Sequence, residues 1–261
     1  MGILEGKAVL VTGVGPGLGR MIALEAGRQG ADVAMVSRST VLMEEVAGEL
    51  GQLGRQALVI QADITAQADC DRAAEQTLAA FGRIDGLVNS AYRPGDLAPV
   101  NELDLDVLAG AFDVTVIGTL RMIRAVVPAM ERQGGGAIVN VGSQVARKVV
   151  QHQGGYASTK AALASLTRYL AAELGSKNIR VNTPAIGWTM SAPARAWLES
   201  QAAQGGPSVD KTVAGISATM ALGRIPTDEE CARGVLLPLS DLFSAVTGAT
   251  LDINGGDYMP L

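Results

Sequence analysis

Short apolar runs that end in glycine or a small polar residue recur along this chain. Each is followed by a stretch whose apolar positions return every three or four residues. KAVLVTG (7–13), DVAMVSR (32–38), ALVIQAD (57–63), IDGLVNSA (84–91), GAIVNVGS (136–143) and IRVNTPA (179–185) read as strands, and GATLDINGG (248–256) closes the series. RMIALEAGRQG (20–30) and VLMEEVAGELGQLG (41–54) carry the helical period between them. Strands that are apolar throughout belong to a parallel sheet covered on both faces. Alternation with helices and right-handed crossovers then predicts an α/β, doubly wound fold. No linker, repeat or low-complexity tract divides the chain, and GGG at 134–136 reads as a helix end. A single domain over residues 1–261 is expected.

Composition narrows the function. With 261 residues, 48% of them hydrophobic, the chain can bury a substantial core. Its net charge of −5 and lack of a basic cluster argue against a nucleic-acid partner. One histidine and two distant cysteines, Cys70 and Cys231, suggest neither a metal site nor a disulfide framework. The first apolar run is too short for a signal segment or a membrane span, so a cytoplasmic protein without membrane attachment is expected.

The first strand–helix turn is TGVGPGLG (12–19). A doubly wound fold binds nucleotides there, where glycines let backbone amides approach a pyrophosphate at a helix N-terminus. The strict G-x-G-x-x-G spacing fails, because the sixth position from Gly13 is Leu18; G-x-x-x-G-x-G through Gly13, Gly17 and Gly19 fits. No lysine follows as a P-loop would require. The candidate contacts are Gly13, Gly15, Gly17, Leu18 and Gly19, although the same glycines would also serve tight helix–strand packing. The second strand ends in Ser37 and Arg38, where an NAD site usually has an acidic residue for the ribose 2′-hydroxyl. Ser37 repels no 2′-phosphate and Arg38 can grip one, which favours NADP(H) over NAD(H). An arginine that only stacks over adenine would suit either cofactor.

YASTK (156–160) places Tyr156 and Lys160 one helical turn apart, on one face of a helix. In isolation the pair reads first as a partly exposed aromatic beside a solvated lysine. Together with the glycine loop and the order of elements, it resembles the short-chain dehydrogenase/reductase family, over nearly the whole chain. Asp63 in ADIT, Asn89 in NSA, Ser143 thirteen residues before Tyr156, and VTGATLDINGG match further landmarks, while Ser90 and Tyr92 depart from Asn-Asn-Ala-Gly.

The resemblance implies a Rossmann-type fold, a homotetramer or dimer, and nicotinamide-dependent carbonyl–alcohol chemistry. It puts Asp63 and Ile64 near adenine and adds Asn89, Ile186 and Thr189 to the cofactor contacts. Tyr156 becomes the general acid in reduction and general base in oxidation. Lys160 lowers its pKa and holds the nicotinamide ribose, and Ser143 holds the substrate oxygen. A free tyrosine, with a pKa of about 10, needs such help to act as a base near neutrality. The family's fourth catalytic residue, an asparagine anchoring a relay water, is Thr115 here. A hydroxyl cannot copy an amide, so Thr115 either holds the relay in another geometry, alters it, or fills helix–helix space.

The loop 144–155 and a lid segment around 188–220 should shape the substrate pocket. Trp188, Met190 and Trp197 suggest an apolar wall for a hydrophobic or cyclic substrate; Gln144, His152 and Gln153 are candidate polar contacts. Trp197 could equally bury a lid helix, and His152 could simply be exposed. The leading expectation is an NADP(H)-preferring ketone reductase or alcohol dehydrogenase. The alternatives are an NAD-linked dehydrogenase running oxidatively and a nucleotide-binding regulator without turnover. The alanine- and leucine-rich face of the helix after Tyr156 fits a symmetry mate or the chain's own sheet.

Overall fold

Each apolar run predicted as a strand is found in the sheet, most with trimmed ends; GAIVNVGS splits into two strands and IRVNTPA extends to Ile186. The computed structural model describes residues 2–260. In chain order the elements are β1 (Ala8–Thr12), α1 (Leu18–Arg28), β2 (Asp32–Ser37), α2 (Val41–Gln52), β3 (Ala57–Gln61), α3 (Gln67–Phe81) and β4 (Gly86–Asn89). Then come α4 (Leu105–Phe112), α5 (Thr119–Arg132), β5 (Gly136–Asn140), β6 (Gly142–Ser143), α6 (Gly154–Leu174) and β7 (Ile179–Ile186). The chain ends in α7 (Ala192–Ala203), α8 (Val209–Ser217), α9 (Asp228–Leu236) and β8 (Thr250–Ile253).

The strand order is β3-β2-β1-β4-β5-β7-β6, with β8 also paired to β7. All the pairings are parallel, so every crossover must pass over a face of the sheet. Successive side chains then divide between two cores. Val9, Val11, Val33 and Met35 meet α1, α2 and α9 through Ile22, Val46 and Val235. Leu10, Ala34 and Val36 meet α3, α5 and α6 through Ala73, Met122 and Leu174 on the other face. This is the doubly wound, Rossmann-type arrangement. The face of α6 with Leu163, Thr167, Ala171 and Leu174 is buried within the chain.

Two irregularities bear on the site. Pro184 lies inside β7, where a missing N–H would normally break a ladder. It is tolerated because the β5 pairing ends at Asn182 and the β6 pairing starts at Ala185. Between α4 and α5 the helix widens into a π-type turn, Asp113–Gly118. Its buried positions are Thr115, Val116 and Gly118, so no apolar stripe in the sequence marks the turn. The glycine run behaves as predicted: α5 stops at Arg132, and Gly135, at φ 144°, lies so close to Asn178 that a Cβ would sit 2.6 Å from its side chain.

The strand order reverses between β1 and β4, which opens a crevice at their carboxyl ends. Among the described residues, no helix is long and apolar enough to cross a membrane, and no group of three or more His, Cys, Asp or Glu side chains could hold a metal ion.

Candidate active site

A cleft of about 880 Å³ occupies that crevice. The glycine loop forms one end. Gly13 donates to Val36 O at 2.8 Å and turns at φ 73°, and a Cβ on it would lie 2.4 Å from Ala91 Cα. Only glycine fits both the turn and the contact. Beside Gly15 a Cβ would meet nothing nearer than 4.0 Å, so the loop is open towards the cleft. No side chain caps α1, which leaves the amides of its first turn, at Leu18 and Gly19, to a ligand in the cleft that both residues line. An unobstructed glycine cradle at an uncapped helix N-terminus fits a dinucleotide pyrophosphate.

Ser37, Arg38, Asp63 and Ile64 line the next stretch. Asp63 accepts from Thr65 N at 2.9 Å and Thr65 Oγ1 at 2.7 Å. The Thr65 backbone amide, more than the hydroxyl, holds the Asp63 carboxyl below the usual carboxylate range. Arg38 is exposed, and its guanidinium has no hydrogen bond or carboxylate partner among the described residues.

Ser143, Tyr156 and Lys160 meet at the far end. Ser143 ends β6 and its hydroxyl donates to Ile186 O at 3.3 Å. Tyr156 and Lys160 share the face of α6 predicted by their spacing, with Lys160 Nζ 5.7 Å from the Tyr156 ring centroid. Lys160 is only 3% exposed and donates to Val141 O at 2.7 Å. Burial alone pulls its pKa down to about 8. Burial, reinforced by Tyr92, pushes the Tyr156 phenol above its ordinary value, and the neighbouring Ser143 hydroxyl opposes the rise. Desolvation is the largest of these effects, and it favours the neutral phenol.

Several candidates lie elsewhere. Asn89 is buried within the sheet and donates to Asn140 Oδ1 at 2.9 Å. Thr115 is fully buried in the π-type turn, where its hydroxyl accepts from Arg93 N at 3.3 Å. Thr189 Oγ1 faces Cys231 Sγ at 3.4 Å. None of these three lines the cleft, whereas Ile186 does.

The substrate candidates are likewise absent from its walls. Gln144 Nε2 donates to Asp257 at 2.6 Å, drawn aside by a carboxylate that also binds Lys148 and Thr219. His152 takes a left-handed turn at φ 62° on an exposed loop, and Gln153 precedes the first turn of α6. Trp188 and Trp197 pack on each other with centroids 6.1 Å apart, and Met190 pairs by its backbone with Thr227.

Instead, Tyr92, Arg93 and Pro94 after β4, with Ser191 and Pro193 from the lid segment, complete the cleft. Their one signal in the sequence is Tyr92 itself, a large aromatic where the family pattern has glycine.

The family described as short chain dehydrogenase matches residues 7–202. The chain belongs to the short-chain dehydrogenase/reductase family. It is 33% identical to a cyclohexanol dehydrogenase of Rhodococcus sp. (strain TK6), covering 97% of this chain and 96% of that one. An L-sorbose reductase of Gluconobacter frateurii, solved with NADPH and L-sorbose, superposes with a TM-score of 0.93 at 26% identity over 100% of this chain and 99% of that one. A 7α-hydroxysteroid dehydrogenase solved with NADH and 7-oxo glycochenodeoxycholic acid gives 0.86 at 29% identity, covering 97% and 94%. As a member of this family the protein is an oxidoreductase acting between alcohols and carbonyls with a nicotinamide cofactor, NAD(H) or NADP(H).

Proposed function

We propose that this short-chain dehydrogenase/reductase is an NADP(H)-preferring ketone reductase or alcohol dehydrogenase for a hydrophobic or cyclic substrate. The carrying observation is the convergence of Ser143, Tyr156 and Lys160 at one end of the cleft that begins at the glycine loop. When bound, the nicotinamide supplies or accepts the hydride. Gly13, Gly15, Gly17, Leu18 and Gly19 would hold the pyrophosphate, Asp63 and Ile64 the adenine end, and Ile186 the carboxamide end. Asn89, Thr115 and Thr189 act from behind the walls, Asn89 through Asn140, Thr115 through the Arg93 amide and Thr189 through Cys231.

In reduction, Tyr156 donates its phenolic proton to the carbonyl oxygen and Ser143 hydrogen-bonds that oxygen. Two donors placed in advance remove the need to solvate a developing alkoxide. A phenol raised by burial is well suited to remain protonated until that charge develops. Lys160 holds the ribose and supplies positive charge beside the phenol. Pro94, Ile186 and the Tyr92 ring give the reactive end an apolar lining. Lid residues 188–220 would close over the cofactor through Ser191 and Pro193, within one catalytic domain. The same reading makes the protein a cytoplasmic homo-oligomer, supported by the exposed Leu105, Ile117 and Tyr169 on and around α4 and α6.

The cofactor preference rests on Arg38, an unpaired cation on the cleft wall beside Ser37. Arg38→Ala should weaken NADPH binding about tenfold or more, the scale of a charge-assisted hydrogen bond, and leave NADH nearly unchanged. Fluorescence titration of both nucleotides checks this. Equal losses would refute a 2′-phosphate contact.

A further inference from the structure

Beyond lining the cleft, Tyr92 has been given no task so far. It is 55% exposed, yet its ring lies against Tyr156, with centroids 5.9 Å apart at an interplanar angle of 56°. Lys160 Nζ is 5.6 Å from the Tyr92 centroid and 5.7 Å from that of Tyr156. Both distances fall within the roughly 6 Å reach of a cation–π contact.

The groups around this ammonium are few. α6 presents Tyr156, the junction of β5 and β6 presents the Val141 carbonyl, and the strap after β4 presents Tyr92. No carboxylate among the described residues pairs with Lys160. A buried cation without a counterion depends on whatever negative potential its neighbours offer, and a ring face offers some. The strap is itself tied down, because Thr115 Oγ1 accepts the N–H of Arg93, the residue after Tyr92.

We propose that Tyr92 and Thr115 form one positioning unit, in which Thr115 anchors the strap and Tyr92 lays its ring over the Lys160 ammonium to hold it charged beside Tyr156. This assigns a task to the buried threonine other than filling space. Its importance for turnover rests on the oxidoreductase reading above, but the charge state of Lys160 can be read without nucleotide or substrate.

The test is a pH titration of the folded, nucleotide-free protein labelled with ¹³C at lysine Cε, followed by NMR. Lys160 should titrate near 8, well below its ordinary 10.5. Tyr92→Leu should lower that midpoint by about half a pH unit, the size expected for one cation–π contact. Tyr92→Phe, which keeps the ring, should restore it. Thr115→Val, which keeps the shape but not the acceptor, should shift it in the same direction as Tyr92→Leu. Tyr92→Trp, with the stronger ring, should raise it and serves if the leucine variant does not fold. An unmoved Lys160 midpoint in Tyr92→Leu, or in Tyr92→Trp where that variant replaces it, would overturn the proposal. So would a Tyr92→Phe protein that behaves like the leucine variant. Neither result would bear on whether the protein transfers hydride.

Discussion

Tyr156→Phe should cut turnover by about a hundredfold to ten-thousandfold, the usual contribution of a positioned proton donor. Nucleotide affinity should change little. The substitution removes one oxygen from a side chain whose ring stays packed against Tyr92, so the cleft keeps its shape. The glycine loop and Arg38 lie at the other end of the cleft and should be untouched. Steady-state rates and nucleotide titration on the same preparation separate the two effects. A phenylalanine variant with near-normal turnover would remove Tyr156 from the chemistry.

Lys160→Met should stabilise the protein while disabling it. The lysine is buried and pulled from its ordinary 10.5 to about 8, so at neutral pH the fold carries a charge that its surroundings disfavour. Relieving that penalty corresponds to something on the order of 3 kcal/mol, and an apolar side chain of similar length fills the same space. The freed Val141 carbonyl borders the cleft, where water can reach it. A rise of about 5 °C or more in Tm at pH 7 is expected.

The pH dependence has a definite sign. Between pH 8 and 10 the unfolded chain still binds this lysine's proton and the folded chain does not, so the native protein gains stability with rising pH. The methionine variant's advantage should therefore shrink across that window. Above it, the raised phenol of Tyr156 adds a slope of opposite sign to both proteins and cancels in the comparison. Calorimetry at pH 7 and pH 9.5 checks both statements, and a destabilised variant would contradict the picture of a strained, functional lysine.

The strands of this fold were legible because central strands of a parallel sheet are buried on both faces, and DVAMVS and AVLVT show it as unbroken apolar runs. The two-residue β6 and the π-type turn at Asp113–Gly118 were not, since one depends on pairing with distant β7 and the other buries Thr115 and Gly118 rather than an apolar stripe. The glycine loop and the Tyr156–Lys160 pair depend on local spacing, and a sequence displays local spacing directly. Side chains aimed by distant partners escape such reading. Gln144 is turned by Asp257, 113 residues away, and Trp188 by Trp197 on a following helix. Spacing gives Tyr156 and Lys160 a shared face, while the burial that raises the phenol there is not displayed by spacing. Tyr92 was visible only as a departure from a pattern, and its contacts with Tyr156 and Lys160 become apparent only once β4 and α6 are brought together.

The most direct test of the account is transfer of deuterium from NADPH labelled at the nicotinamide C4 to a panel of cyclic and aromatic ketones, read by mass spectrometry of the alcohols. Labelled alcohol is expected from at least one cyclic ketone with the native protein, and the label should be lost with Tyr156→Phe. Tight NADPH binding without label in any product would contradict the ketone-reductase reading and favour a nucleotide-binding regulator, whereas failure to bind either nucleotide would contradict the assignment of the glycine loop itself.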